Sequence, residues 1–307
     1  MNHRTKGRLT LFIVYILAIA AGTLAGQYFL YLGMLQTSAV AVLVTVAVIF
    51  SGSVVFNNSS VFDPYWSVAP PLMVLWYLLF RTWAPPLEVN LQETSQNFAG
   101  NLDVGSGRII ILFILIMGYG LRLTWNFLRG WPGLSHEDWR YVDFRNNSGK
   151  LYWLVSFSGI HLFPALMVFG GTLSIWVVIV NPGRPLNILD ALGVILTGAA
   201  ILLEAIADRQ LRKFVRENKE PGKTMDKGLW SLSRHPNYLG EILFWWGLYL
   251  FALASNPAFW WVICGPAAIT LMFLFASIPL IEKRMLKRRK DYADYRKRVS
   301  MLVPFLG

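Results

Sequence analysis

Residues 9–32 run for 24 positions without a charged side chain, and comparable apolar stretches recur along the chain. A helix of that length crosses a hydrocarbon layer of about 30 Å and satisfies its own backbone where water is absent. Eight candidate spans follow, near 9–32, 38–56, 66–83, 108–128, 152–180, 187–207, 238–254 and 258–281. The fifth is over-long and holds Pro164, which predicts a kink or a tilt. Only Ser255, Asn256 and Pro257 part the last two, so a broken element there would make seven. The predicted fold is all-α: a polytopic helical membrane protein with about eight (seven to nine) spans and a C-terminal amphipathic helix. A hydrophobic content of 55% and a mean hydropathy of +0.47 agree with it.

Charge placement orients the spans. With eight, both termini share a side with the segments 57–65, 129–150 and 208–237, and that side holds 24 of the 28 basic residues. The opposite side holds Arg81, Arg108 and Arg184, so both termini are expected in the cytoplasm. The net charge of +11 then borders membrane and forms no nucleic-acid stripe; no zinc-finger, helix-turn-helix or RNA-binding signature accompanies it. One cysteine, Cys264, excludes an internal disulfide and a thiolate metal cluster. The polar stretch 84–107 reads as an outer loop. It divides the chain into N-terminal helices, 1–107, and a cofactor-bearing membrane domain, 108–307. In 282–300, Met285, Tyr292, Tyr295 and Val299 recur at helical spacing among basic residues, as in a helix lying on the cytoplasmic face.

The junction WSLSRHPNYLGEILFWWGLYL, 230–250, concentrates the chemistry. Proline fits the first helical position, so a helix is predicted to start at Pro236 with Arg234 and His235 just ahead of it. Free N–H groups at that start attract phosphate or carboxylate. Asn237 and Glu241, four residues apart, share a face, and Glu241 reaches hydrocarbon, where a carboxylate is costly unless bound. An interfacial cap with snorkelling side chains is the plainer alternative.

Other polar residues near spans have two readings each. Arg122, with Tyr119 one turn before and Asn126 one turn after, either pairs with a neighbouring helix or grips an anionic ligand. Glu204 and Asp208 share a face that Arg212 continues. They could accept from ribose hydroxyls or a carboxamide, or close a salt-bridged helix end with Arg212 and Lys213. His161 reads as an interhelical hydrogen bond more readily than as a catalyst. In 136–145, HEDWRYVDFR, charges alternate around Trp139 and Tyr141; in 57–66, NNSSVFDPYW, Asp63-Pro64 favours a turn. No Gly-rich dinucleotide fingerprint or Walker sequence occurs, so a bound nucleotide would be held by helices and loops.

The segments DRQLRKF, GLWSLSRHPNYLGEILFWWG and YADYRKRVSMLVPF resemble the C-terminal half of the steroid 5-alpha-reductase superfamily. DPYWS and EDWRY resemble its bacterial DUF1295 branch. The resemblance is strong over about 120–307 and extends back to about 57. It implies a membrane oxidoreductase, in a bacterial inner membrane, that uses NADPH to reduce a C=C conjugated to a carbonyl in a lipophilic substrate. By motif, Asn237, Tyr238, Glu241, Asp208, Arg122, Arg284 and Arg288 fall in the cofactor-binding segments. Arg122, Arg234, Arg284 and Arg288 would meet the charges of NADPH. The steroid enzymes carry Asn at the place of Glu204, and their ketone-gripping Glu–Tyr pair has no clear counterpart, so steroid itself is not the expected substrate. As proton donor, Tyr119 beside Arg122 comes first, and Asp63, kept protonated by burial, second. RHPNY, the later Asn-Pro pair and Glu282 also resemble isoprenylcysteine- or phospholipid-type methyltransferases, in which Glu241 would face S-adenosylmethionine. Membrane lipids and the lipophilic substrate are the implied partners; no oligomeric state follows from the sequence.

Overall fold

The computed structural model describes residues 2–83 and 91–304, with side chains at 2–80 and 107–304. The described residues form helices joined by turns and short loops, with no strand among them beyond one isolated parallel bridge between Ser233 and Ser300. Seven described helices are long and apolar enough to cross a membrane: His3–Tyr28, Met34–Val55, Gly107–Gly130, Trp139–Val180, Ile188–Glu217, Pro236–Ser255 and Pro257–Arg288. The last two are separate helices. The expected span 66–83 is also helical but falls outside these seven, because Pro70, Pro71 and its tyrosines and tryptophans dilute its apolar content. By packing, the chain divides into two compact units, Met1–Gly183 and Arg184–Gly307.

The first unit begins with α1 (His3–Tyr28) and α2 (Met34–Val55). Gly22 lets them approach closely, since a side chain there would collide with Thr45 and the Ala41 carbonyl. After a short 3-10 turn, Ser59–Phe62, come α3 (Tyr65–Trp83) and α4 (Leu91–Gly130). Of the loop expected over 84–107, residues 84–90 lie outside the described residues, and 91–107 are helical, where Gln, Glu, Ala and Leu favour it. Arg108, expected on the outer side at the start of its span, is buried at 1% exposure. Arg4 Nε donates to the Trp131 carbonyl at 3.1 Å, and Arg4 and Arg8 also donate to the carbonyls of Arg129 and Leu128. Cations thereby cap the C-terminal end of α4, where the helix dipole favours them.

Within the segment 129–150 between spans, residues 139–148 form α5 (Trp139–Ser148), because the Asp138 side chain accepts from the Arg140 N–H at 2.9 Å and caps it. The over-long fifth span resolves into α6 (Tyr152–Val155), a π-helix (Ser156–Leu162) and α7 (Phe163–Val180). Pro164 offers no N–H and crowds the carbonyl four residues back, and the widened turn absorbs that misfit.

The second unit opens with α8 (Ile188–Glu217), started by a capping box of Asn187 and Asp190. Its 30 residues extend about 45 Å, beyond the hydrocarbon, so its last turns project from the membrane. Ala207, Met225 and Trp230 form a small core where the following loop folds back on it. Next are α9 (Pro236–Ser255), a 3-10 stretch (Pro257–Ile263), α10 (Cys264–Met272), a second π-helix (Phe273–Ser277) and α11 (Ile278–Arg288). The chain ends with α12 (Tyr292–Arg298). The single C-terminal amphipathic helix expected over 282–300 is therefore two, broken where Arg289 turns extended. Met285, Tyr292, Tyr295 and Val299 do cluster as their spacing predicted, but against one another and the chain.

Candidate functional site

In the second unit the site rests on the pairing of α8 with α9. A side chain at Gly240 would meet Glu204 and the Ala200 carbonyl, one at Gly247 would meet Thr197, and one at Gly193 would meet Phe251. Partners descend α8 as they ascend α9, so the helices are antiparallel and nearly in backbone contact. That register sets Glu204 level with Gly240, beside Glu241, and Asp208 level with Pro236. Three acidic residues and Asn237 thus share one end of the pair, with Glu204 and Glu241 buried and Asn237 and Asp208 half-buried. Glu241 Oε1 accepts from Trp245 Nε1 at 2.9 Å.

The helix begins at Pro236, as its chemistry predicts, but the residues before it turn inward. Arg234 Nε donates to Glu282 Oε1 at 2.7 Å, and its Nη1 to the carbonyls of Arg296 and Val299. His235 Nε2 lies 3.2 Å from the same Glu282 oxygen. Arg234 therefore neutralises a buried carboxylate of its own chain, an internal role that competes with the one expected toward a cofactor. The Arg234 N–H donates to the Ser300 carbonyl at 2.9 Å, and Tyr295 Oη to the Trp230 carbonyl at 2.6 Å, which tie the C-terminal segment to the junction. Asp291, outside the spans, is raised by burial but held below the usual carboxylate range by hydrogen bonds from Thr224. Tyr238 stacks on His235 at 5.5 Å and tilts against Phe273 at 4.8 Å. Arg284 is half-buried; Arg212 and Arg288 are exposed.

In the first unit, the turn after α2 and the start of α5 are zipped together. Asn58 Nδ2 donates to the carbonyls of Leu134 and His136, and the Asp138 N–H to Ser60 Oγ at 2.8 Å. Glu137 accepts from the Ser59 N–H, Tyr152 Oη and Arg145. Tyr141 Oη donates to Asp63 Oδ1 at 2.5 Å. Burial pushes the Asp63 carboxyl up to about 7, against the lowering pull of Arg140 and of hydrogen bonds from Tyr141 and Ser60. A carboxylic acid half-protonated near neutrality, touching a phenol, is suited to passing a proton.

An apolar cavity of ≈ 220 Å³ lies in the same unit, walled by α1, α2 and α3 between Tyr15 and Thr23, Ala41 and Ile49, and Tyr65 and Leu79. One end abuts the Asp63 turn: Tyr15 Oη donates to the carbonyls of Val61 and Phe62, and Tyr65 stacks on Phe62. Its walls suit a hydrocarbon chain or ring system. Tyr119 has no exposed surface; Arg122 and Asn126, in the same helix, are half-buried. His161 is enclosed, with Nε2 at 2.9 Å from Ser53 Oγ and Nδ1 at 2.9 Å from the Ser156 carbonyl, as the interhelical reading expects. Tyr141 and Glu282 were not singled out as site residues; only the acid–aromatic mixture of EDWRY hinted at the first.

A protein of Schizosaccharomyces pombe, itself named as uncharacterized, is 27% identical over 226 residues, 66% of this chain. The match spans 65% of that relative's length. No solved structure matches the chain. The family described as "Protein of unknown function (DUF1295)" matches residues 53–299, and the chain belongs to that family.

Proposed function

We propose that this is a membrane-embedded reductase that uses NADPH to reduce a C=C conjugated to a carbonyl in a lipophilic substrate. The likeness to the steroid 5-alpha-reductase superfamily motivates the reaction class. The observation that carries it is the Asp63–Tyr141 pair, whose turn abuts an apolar cavity through Tyr15 and Tyr65. The cavity takes the hydrophobic body of the substrate. Hydride added at the carbon β to the carbonyl drives negative charge onto the carbonyl oxygen, and a hydrogen-bond donor there lowers the barrier. Asp63 in its protonated form, with Tyr141, fills that role; Tyr119 is the alternative donor.

NADPH supplies the hydride. The second unit suits a nucleotide: Glu204, Asp208, Asn237 and Glu241 offer acceptors for ribose hydroxyls and a carboxamide at one end of the α8–α9 pair. Arg212, Arg284 and Arg288, of the same unit, supply positive charge for the phosphates. The basic bias of 24 residues to three supports an inner-membrane protein with both termini in the cytoplasm, where NADPH is found.

The test uses purified full-length protein in detergent or nanodiscs. NADPH is expected to raise its Tm and to be oxidised when α,β-unsaturated ketones with long alkyl or fused-ring bodies are added. Stabilisation by S-adenosylmethionine with no response to NADPH would overturn this reading in favour of the methyltransferase one.

A further inference from the structure

Glu282 is 6% exposed, yet three nitrogen-bearing side chains converge on it. Arg234 Nε stands at 2.7 Å and His235 Nε2 at 3.2 Å from Oε1, and Arg296 Nε at 3.3 Å from Oε2. These residues come from the approach to α9, from α11 and from α12, so one carboxylate gathers three elements. A carboxylate in such surroundings only accepts hydrogen bonds, so Nε2 of His235 carries the hydrogen and the ring orientation is fixed. The oriented ring lies nearly parallel to Tyr238, 12° between planes, and Phe273 of the second π-helix tilts against Tyr238 at 4.8 Å.

We propose that Glu282 is a positioning residue for the α9 junction, acting through His235 on Tyr238. It sets the height and plane of the Tyr238 ring, while Arg234 and Arg296 neutralise its charge. This rests on the reading that the junction binds the cofactor. The arrangement explains why two polar residues ahead of Pro236 face the protein's own C-terminal segment: they build the frame in which Asn237, Tyr238 and Glu241 are held.

Three variants test it: Glu282→Gln, Glu282→Asp and His235→Gln. The last keeps an N–H for Glu282 and removes the ring that Tyr238 stacks on. Cofactor Kd is measured per folded protein, with NADPH and with S-adenosylmethionine, alongside Tm and hydrogen exchange of segment 231–241. His235→Gln is expected to hold its Tm within a few degrees yet weaken cofactor binding roughly tenfold. Glu282→Gln is expected to do at least as much and to speed exchange in the segment, with Glu282→Asp restoring part of both. Wild-type Kd and exchange in His235→Gln would overturn the proposal even if Glu282→Gln fails to fold. Should wild type bind neither cofactor, the cofactor reading fails by itself. Exchange in Glu282→Gln then decides the positioning role, with unchanged protection counting against it.

Discussion

A carboxyl group held near neutrality by burial changes charge over the physiological pH range, and this makes Asp63 measurable. Its folded pKa, about 7, lies above its ordinary 3.8, so the folded state binds the proton more tightly. The resulting stability is complete below pH ~4 and is lost as pH rises through about 7. Wild-type Tm should therefore fall by a few degrees across that window relative to Asp63→Asn, which cannot titrate. If the protonated form is the acid, turnover declines above pH 7 and Asp63→Asn loses roughly a hundredfold in kcat while keeping its NADPH Kd. Tyr141→Phe should lose less and shift the pH midpoint. Full turnover in both variants would remove the pair from the chemistry. Asp63 was legible from its sequence because Asp-Pro marks a turn beside a span. Tyr141 was not, because its partner lies 78 residues away and only folding joins them. Arg234 misled for the opposite reason: an arginine ahead of a helix start looks like an anion site until the carboxylate at Glu282, 48 positions on, is seen against it.

Helices fare better than sites in such a reading, because hydropathy is a local property and contacts are not. The starts of α9 at Pro236 and of its successor after Asn256 follow from proline and asparagine chemistry alone. The helical breaks inside 152–180 and after Arg288 do not, since a π turn or an extended residue depends on what the neighbouring helix needs. The α8–α9 contact belongs to this scale and is the feature on which the acidic cluster depends. Gly240→Ala would press a methyl group to 2.9 Å from the Ala200 carbonyl oxygen and from Glu204 Cβ, and Gly247→Ala to 3.0 Å from the Thr197 nitrogen. Each should destabilise by about 1–3 kcal/mol, read as a lower Tm. Gly198→Ala, in the partner helix α8, meets nothing within 4 Å and should be neutral or slightly stabilising. Gly240→Ala should also weaken cofactor binding, since it moves Glu204 relative to Glu241. Equal Tm for all three variants would mean that the helices are not so tightly apposed.

Across the whole molecule, orientation is set by charge and not by shape. Lys and Arg resist transfer across the membrane during insertion, so the side that holds most of them stays in the cytoplasm. The nine basic residues beyond Glu282 make α11 and α12 the most strongly retained part. If they are cytoplasmic, α9 runs outward from Pro236, and the 3-10 stretch Pro257–Ile263 lies on the far side, where Trp260 is exposed at 64%. Tryptophan at that depth suits the membrane–water boundary, which accepts its ring and its N–H together. Cys264 is the single native thiol, so Cys264→Ser leaves a background free of cysteine. In it, Trp260→Cys should react with a membrane-impermeant maleimide on intact spheroplasts. Lys297→Cys, whose parent side chain is 78% exposed, should react only after lysis. The reverse pattern would invert the protein, place the acidic cluster of α8 and α9 away from cytoplasmic NADPH, and remove the ground for the reductase reading.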